Sequence, residues 1–323
     1  MADSLSGRVA RTKRHSALVG FLIRLVKEKP LGTLGAVITL LLIVVAIFAE
    51  LLTPYGMNEL TGVFLSPPSS QFLLGTDNLG RDILTRVIFG ARISITVGLA
   101  VSTLSTVISV VLGMMSAYIG GKFDLVVQRF VDAWMCFPSL ILCMSIISIV
   151  GTGLWPVIIV LSLLMGIVGS RIIRGSVIGI KENMYVAAAE AIGCSTTRIL
   201  TRHILPNIVG PVMVTFTIRV PEAILVEAAI SFLGYGIPPP MPSWGGMLSG
   251  TARRYMLLAP WMAVWPGLAL SIVVYGVNMF GDALRDLLDP RLRGGAGRYG
   301  RKKMKEREKT QQKSEPRAPE GAI

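Results

Sequence analysis

Arg219, Glu222 and Glu227 are the residues of this 323-residue chain whose type and place could do chemistry. They interrupt an otherwise apolar segment between about residues 208 and 232. A charge at the centre of a membrane-spanning helix costs about 3 kcal/mol on insertion scales, so such groups face a bundle interior or a wet cavity. Arg219 and Glu222 stand three apart and share a helix face, and Pro221 between them is expected to kink the helix. Two readings stay open. Arg219, Glu222 and Glu227 form a gate or polar wall of a translocation path, or the charges form an internal ion pair that fixes helices together. Other chemistries lack support. The two histidines, His15 and His203, are far apart and carry no metal-ligand pattern. Gly121-Lys122 is followed by Phe123 and lacks the upstream glycine of a phosphate loop. No nucleophile–base set can be assembled. The chain is therefore read as non-catalytic, with no metal and no cofactor of its own. Active transport would have to draw on an ion gradient or on another subunit.

The elements that must position these charges are membrane helices. Hydrophobic residues make up 52% of the chain and charged residues 16%, against about 25% charged in soluble domains. Four stretches lack any charge: 30–49, 93–121, 133–170 and 255–281. A spanning helix needs about 20 apolar residues, and the third stretch is long enough for two, broken at Gly151-Thr-Gly153 and Trp155-Pro156. With the 208–232 segment, six spans are expected: about 31–51, 93–118, 127–150, 155–175, 208–232 and 262–282. The fold class is all-α integral membrane. The first apolar run is longer than a signal-peptide core, which is about 7–15 residues, so it is read as an uncleaved span. Cys136 and Cys143, seven apart on the third span, are placed on one face as packing residues, and Cys194 has no redox or metal spacing.

The net charge of +13 is unevenly spread. Twenty-six lysines and arginines precede span one, follow span six, or lie in the segments around 122–129 and 171–207. The opposite loops hold five: Arg81, Arg86, Arg92, Arg253 and Arg254. The positive-inside rule then puts both termini and the 176–207 segment in the cytoplasm. The basic tail lacks aromatic residues at stacking spacing, so it is read as solvated chain near lipid head groups and not as a nucleic-acid reader. On the outer side, Asp82 and Arg86 have the spacing of an i,i+4 pair. Trp244, Trp261 and Trp265 suit an interfacial belt.

The cytoplasmic 185–207 segment is polar and rich in small residues, although it lies between two spans. Tyr185 to Ile192 is a strong helix former. Gly193 can end that helix at positive φ, Ser195 or Thr196 can cap a second one, and Pro206 marks the turn into span five. Helix, glycine hinge and helix make a short rigid knob exposed on one membrane face, suited to a groove on a partner; an ordinary amphipathic connector is the plain alternative.

Ala187-Ala-Ala189, Gly193 and His203-Ile-Leu205-Pro206 resemble the EAA motif of ATP-binding-cassette importer permeases. Ala187 stands where that pattern has Glu, and His203 where it has Ile. Gly75-Thr-Asp77 through Arg92-Ile-Ser94, Glu227 through Trp244-Gly, and Asp289-Pro-Arg-Leu-Arg-Gly294 are similar to the dipeptide/oligopeptide/nickel group, in its C-type subunit. The resemblance covers about residues 20–294. It implies a type I importer permease in a bacterial inner membrane, with a cytoplasmic lead (1–29), a first helix and outer segment (30–92), a core of five helices (93–290) and a basic tail (291–323). It also implies that the loop docks on an ATPase subunit through Tyr185, Ala188, Ala189, Gly193, Leu205 and Pro206. The implied partners are a second permease, two ATPase subunits that carry the ATP and magnesium, and a periplasmic binding protein. Substrates of the group include di- and oligopeptides, glutathione and nickel chelates. A rival of another class is a secondary transporter with Arg219, Glu222 and Asp132 as relay groups.

Overall fold

The computed structural model describes residues 17–288. In chain order the helices are α1 (Ala17–Glu28), α2 (Pro30–Ile47), α3 (Ala49–Leu52), α4 (Ile83–Ile119), α5 (Gly121–Met135), α6 (Ser139–Val150), α7 (Leu154–Lys181), α8 (Met184–Ala191), α9 (Thr196–Ile199), a π-helical turn (Leu200–Ile204), α10 (Leu205–Phe232), α11 (Trp244–Leu248), α12 (Gly250–Arg254) and α13 (Trp261–Leu288). The basic tail, the Asp289–Gly294 motif and His15 lie outside the described residues. Among the described residues, five helical stretches are long and apolar enough to cross a membrane, and the α5–α6 pair makes a sixth crossing if it is counted as one broken span.

Small residues let these helices approach closely, as expected where lipid leaves no hydrophobic drive between them. The face of α4 that meets α7 buries Ser102, Ser105, Ser109 and Gly113. Ser109 Oγ donates to the Gly166 carbonyl at 2.8 Å, and a Cβ at Gly113 would lie 2.5 Å from the Ser170 carbonyl oxygen. Helix α2 packs antiparallel on α13, where a Cβ at Gly35 would lie 2.7 Å from the Phe280 nitrogen and Lys29 Nζ reaches Asp286 at 2.5 Å. The described part of the N-terminal lead, from Ala17, is helical as α1, and its Leu25 is buried against Ala283 and Leu287 of α13.

The structure corrects several expectations. Span two starts at Ile83, ten residues before the predicted 93. Asp82 caps it, its carboxylate accepting from Thr85 N at 2.8 Å and from Thr85 Oγ1 at 2.7 Å. The expected Asp82–Arg86 pair is therefore absent. Asp77 takes that place, with Arg81 Nε at 2.7 Å and Arg86 Nε at 3.9 Å. Span three is not one helix: α5 and α6 meet at 91°. Pro138 has no N–H to continue the ladder, and its ring keeps Phe137 out of the helical region. The break separates Cys136, exposed, from Cys143, buried, so the two share no face.

Trp244 does not sit in an interfacial belt. It is buried, its ring lies over Gly90, and its Nε1 donates to the Val87 carbonyl at 2.9 Å. It thereby ties the proline-rich return loop to the start of α4. Trp261 also turns inward and donates to the Thr76 carbonyl at 3.2 Å. Trp244→Phe loses one hydrogen bond, worth about 1 kcal/mol, and leaves a void where the larger ring was buried over Gly90, which adds to the cost. The expected result is a lowered melting midpoint of the purified subunit in a thermal assay, with uptake retained by the assembled importer at a temperature below that midpoint.

Candidate coupling loop and translocation path

One end of the bundle gathers the start of α2, the end of α4, the start of α5, the end of α7, the 184–205 segment and the end of α13. The segment is built as helix, turn and helix. Val186 and Ala189 of α8 are buried in a cluster with Met114 and Ala117 of α4, Ile173 and Val177 of α7, and Ile199, Ile204 and Ile208 downstream. Tyr118 Oη donates to Glu190 at 3.0 Å, and Lys181 Nζ donates to the Tyr118 carbonyl at 2.6 Å. One face of α8 is thus fastened to the bundle.

The opposite face is apolar and free. Met184 is 89% exposed and Ile192 is 81% exposed. Tyr185 and Ala188 are exposed between them, at the spacing of a single helical stripe. Apolar side chains this open on a short, well-anchored helix leave a patch that another protein could cover. Among the residues singled out from sequence, Tyr185, Ala188, Gly193 and Pro206 are exposed, Leu205 is half-buried, and Ala189 points into the protein. Met184 and Ile192 were missed. Their signal was there, since they are the apolar residues bracketing the alanine run.

Gly193 takes φ +80°, and a Cβ there would meet nothing within 4 Å. Its role is conformational: it reverses the chain so that Ser195 can cap α9, Ser195 Oγ accepting from Arg198 N at 3.4 Å. Pro206 makes no turn. The chain runs helically from Thr196 to Phe232, through the π-helical turn at Leu200–Ile204. A π-turn shifts the hydrogen-bond register by one residue, and here it immediately precedes Pro206, which has no N–H to donate. The result is a rod of 37 residues, about 55 Å long, that carries the knob at one end.

Beside the knob, Asp124 joins α5 to α7 and α4. Arg174 Nε and Nη2 donate to its two oxygens at 2.7 and 2.5 Å, and Ser116 Oγ donates to it as well. Asp132 bridges in the same way, pairing with Arg171 of α7 and with Arg129 at 3.3 Å. The bent span is therefore fastened to α7 by two carboxylates that sequence spacing could not pair, since their partners stand 50 and 39 residues away.

Farther along the rod, Arg219 and Glu222 line a cavity of about 370 Å³ between α5, α6, α7 and α10. The α5–α6 break opens it, and Trp134, Phe137 and Cys143 lie on its wall. Arg219 is 7% exposed, and its Nη1 has no hydrogen-bond partner. Its guanidinium fits because residue 169 is glycine: a Cβ there would overlap Arg219 Nη2 and lie 2.5 Å from Ser109 Oγ. Among the described residues no ion pair within 4.0 Å joins Arg219 to Glu222, so the pair expected from their spacing does not form. Glu222 is exposed. Glu227 stands apart from this cavity. It is fully buried nearer the other end, where it accepts from Ser231 Oγ at 2.6 Å while its Oε2 is unpartnered.

At that other end, the 53–82 and 233–260 segments close over the bundle around a second cavity of about 300 Å³, lined by Asp77, Arg81, Arg86 and Ser231. Arg92 clamps the end of α2, donating to the Ala46 carbonyl at 2.9 Å and to Glu50 at 3.0 Å.

The family described as binding-protein-dependent transport system inner membrane component matches residues 109–294, from mid-α4 through the knob and the rod to beyond α13. The chain belongs to this family. A dipeptide transport system permease protein of Alkalihalophilus pseudofirmus is 38% identical over 268 residues, 83% of this chain and 88% of that protein. An oligopeptide transport system permease protein of Bacillus subtilis is 38% identical over the same length and shares. A glutathione transport system permease protein of Escherichia coli is 37% identical over 270 residues, 83% of this chain and 89% of that protein. An inward-facing structure of the MetNI methionine ABC transporter shares the fold, with a TM-score of 0.52 at 18% identity, over 63% of this chain and 96% of the matched one. This family member is a multi-pass membrane protein and a permease subunit of an ATP-binding-cassette importer, of the peptide/nickel group. A permease of this kind works with ATPase subunits and a partner permease.

Proposed function

We propose that the chain is the non-catalytic C-type permease of an importer for small peptides, and that it is driven through the α8–α9 knob by ATPase subunits holding ATP and magnesium. The free apolar face of Met184, Tyr185, Ala188 and Ile192 carries this reading. It sits on a helix fastened to the bundle on its other side and is joined by Gly193 to the 37-residue rod. A partner that grips this face and moves with its nucleotide displaces the rod, and with it the cavity walls near Arg219. Closure of the ATPase pair opens the path outward to a periplasmic binding protein; hydrolysis and release restore the inward-facing state. ATP shifts this balance by its differential affinity for the two states.

The basic excess of the knob side supports a cytoplasmic location for the loop and both termini. Peptide as the substrate class follows from the names of the relatives, for dipeptides, oligopeptides and the tripeptide glutathione. The assembled importer, with its second permease, ATPases and binding protein in proteoliposomes, should accumulate labelled dipeptide on adding ATP and should continue when ionophores dissipate all gradients. Uptake that follows an ion gradient without ATP would contradict the proposal and restore the secondary-transporter reading.

A further inference from the structure

The cavity beside the broken span holds two opposite charges, Arg219 and Glu222, that form no ion pair within 4.0 Å among the described residues. Arg219 is buried, and one of its guanidinium nitrogens has no acceptor. A buried cation in that state needs an anion or carries the full cost of its desolvation. Glu222 is exposed, lines the same cavity, and approaches no cation within 4.0 Å among the described residues. The rest of the wall is mostly apolar and adaptable, with Leu161 and Met165, alongside Ser139 and Trp134, whose Nε1 has no partner. The cavity thus presents one cationic and one anionic group, with unspecific contacts between and around them.

We infer that Arg219 and Glu222 form an intramembrane clamp for the two termini of a short peptide: the free carboxylate is held by Arg219 and the free ammonium by Glu222. This rests on the peptide-importer reading above and adds the feature of the substrate that the path reads. The volume, about 370 Å³, is in the range of small-ligand sites. The apolar wall accepts varied side chains, while the charges select the backbone ends that every unmodified dipeptide shares.

The test is equilibrium binding of labelled dialanine to the assembled, nucleotide-free importer in nanodiscs, without binding protein. Dialanine should bind roughly tenfold tighter, or more, than its C-terminal amide or its N-acetyl derivative, the factor that one charge-assisted hydrogen bond supplies. Arg219→Gln should equalise dialanine and the amide and keep the N-acetyl penalty, with Arg219→Lys intermediate. Glu222→Gln should do the converse. If Arg219→Gln does not assemble, Glu222→Gln decides the matter alone, since that side chain is exposed. No dialanine binding by the wild type, equal binding of the three ligands, or an N-acetyl penalty that survives Glu222→Gln would overturn the clamp. ATP-driven uptake with binding protein present, run on the same preparation, separates the two readings. Peptide uptake without the terminus preference in binding defeats the clamp and leaves the importer standing, whereas absence of any ATP-driven peptide uptake defeats the importer reading itself.

Discussion

Gly193→Val should cut ATP-driven uptake by the assembled importer at least tenfold while the subunit still inserts and the ATPases still turn over. The backbone at residue 193 lies at φ +80°, where an L-residue costs roughly 1–2 kcal/mol and a β-branched one is a genuine outlier. No side chain crowds the site, so the defect is one of backbone geometry: the reversal between α8 and α9 relaxes, Ser195 loses its capping position, and the free face of α8 turns away from the rod. A tenfold loss corresponds to about 1.4 kcal/mol, within the strain that the substitution introduces. Gly193→Asn is the control, because Asn tolerates the left-handed region, and it should retain most of the transport. Ala188→Asp should reproduce the uncoupling by a separate route, placing a charge in the middle of the apolar face. Parallel measurement of uptake and ATP hydrolysis distinguishes uncoupling from loss of assembly, and wild-type coupling in both Gly193→Val and Ala188→Asp would remove the basis for the knob.

Gly169→Ala should impair transport almost as strongly, from the other end of the machine. A methyl group at 169 overlaps the Arg219 guanidinium and crowds Ser109. Overpacking of this kind typically costs 1–3 kcal/mol, and the flexible arginine is the group that yields. Arg219 would be pushed off its seat beside Gly169 and Ser109, moving its charge along the cavity wall without touching the knob. Gly175→Ala on the same helix is the matched control, since a Cβ there meets nothing within 4 Å. Uptake by the Gly169 variant should fall severalfold or more, while ATPase binding and the Gly175 variant remain normal. Equal uptake by both variants would show that the position of Arg219 is immaterial.

Much of this architecture was legible in the chain. Charge-free runs of spanning length, with charged or glycine-rich breaks between them, located the helices, and Gly193 and Ser195 took the conformations their residue types favour. What escaped was non-local. The partner of Arg86 is Asp77, because Asp82 is engaged in capping α4, a competition that i,i+4 spacing does not reveal. Trp244 reads as an interfacial aromatic until Gly90, more than 150 positions earlier, is seen to leave room for its ring. Pro138 carried the signal for the 91° break, yet the hydropathy around it is unbroken and masked it. Pro206 is read from sequence as a turn, but a π-helical register shift just upstream lets the helix pass through. In the path, spacing alone suggested a pair between Arg219 and Glu222; the tertiary seat at Gly169 and Ser109 draws the guanidinium away from it.

The most direct test of the central claim is site-directed cross-linking at Ile192, the exposed apolar tip of α8. In a background with Cys136 and Cys194 replaced by serine, Ile192→Cys in the assembled importer should form a short-linker cross-link to an ATPase subunit. In intact cells it should resist a membrane-impermeant thiol reagent added from outside. Labelling from the outside, or the absence of any cross-link to an ATPase subunit in a complex that still transports, would contradict it.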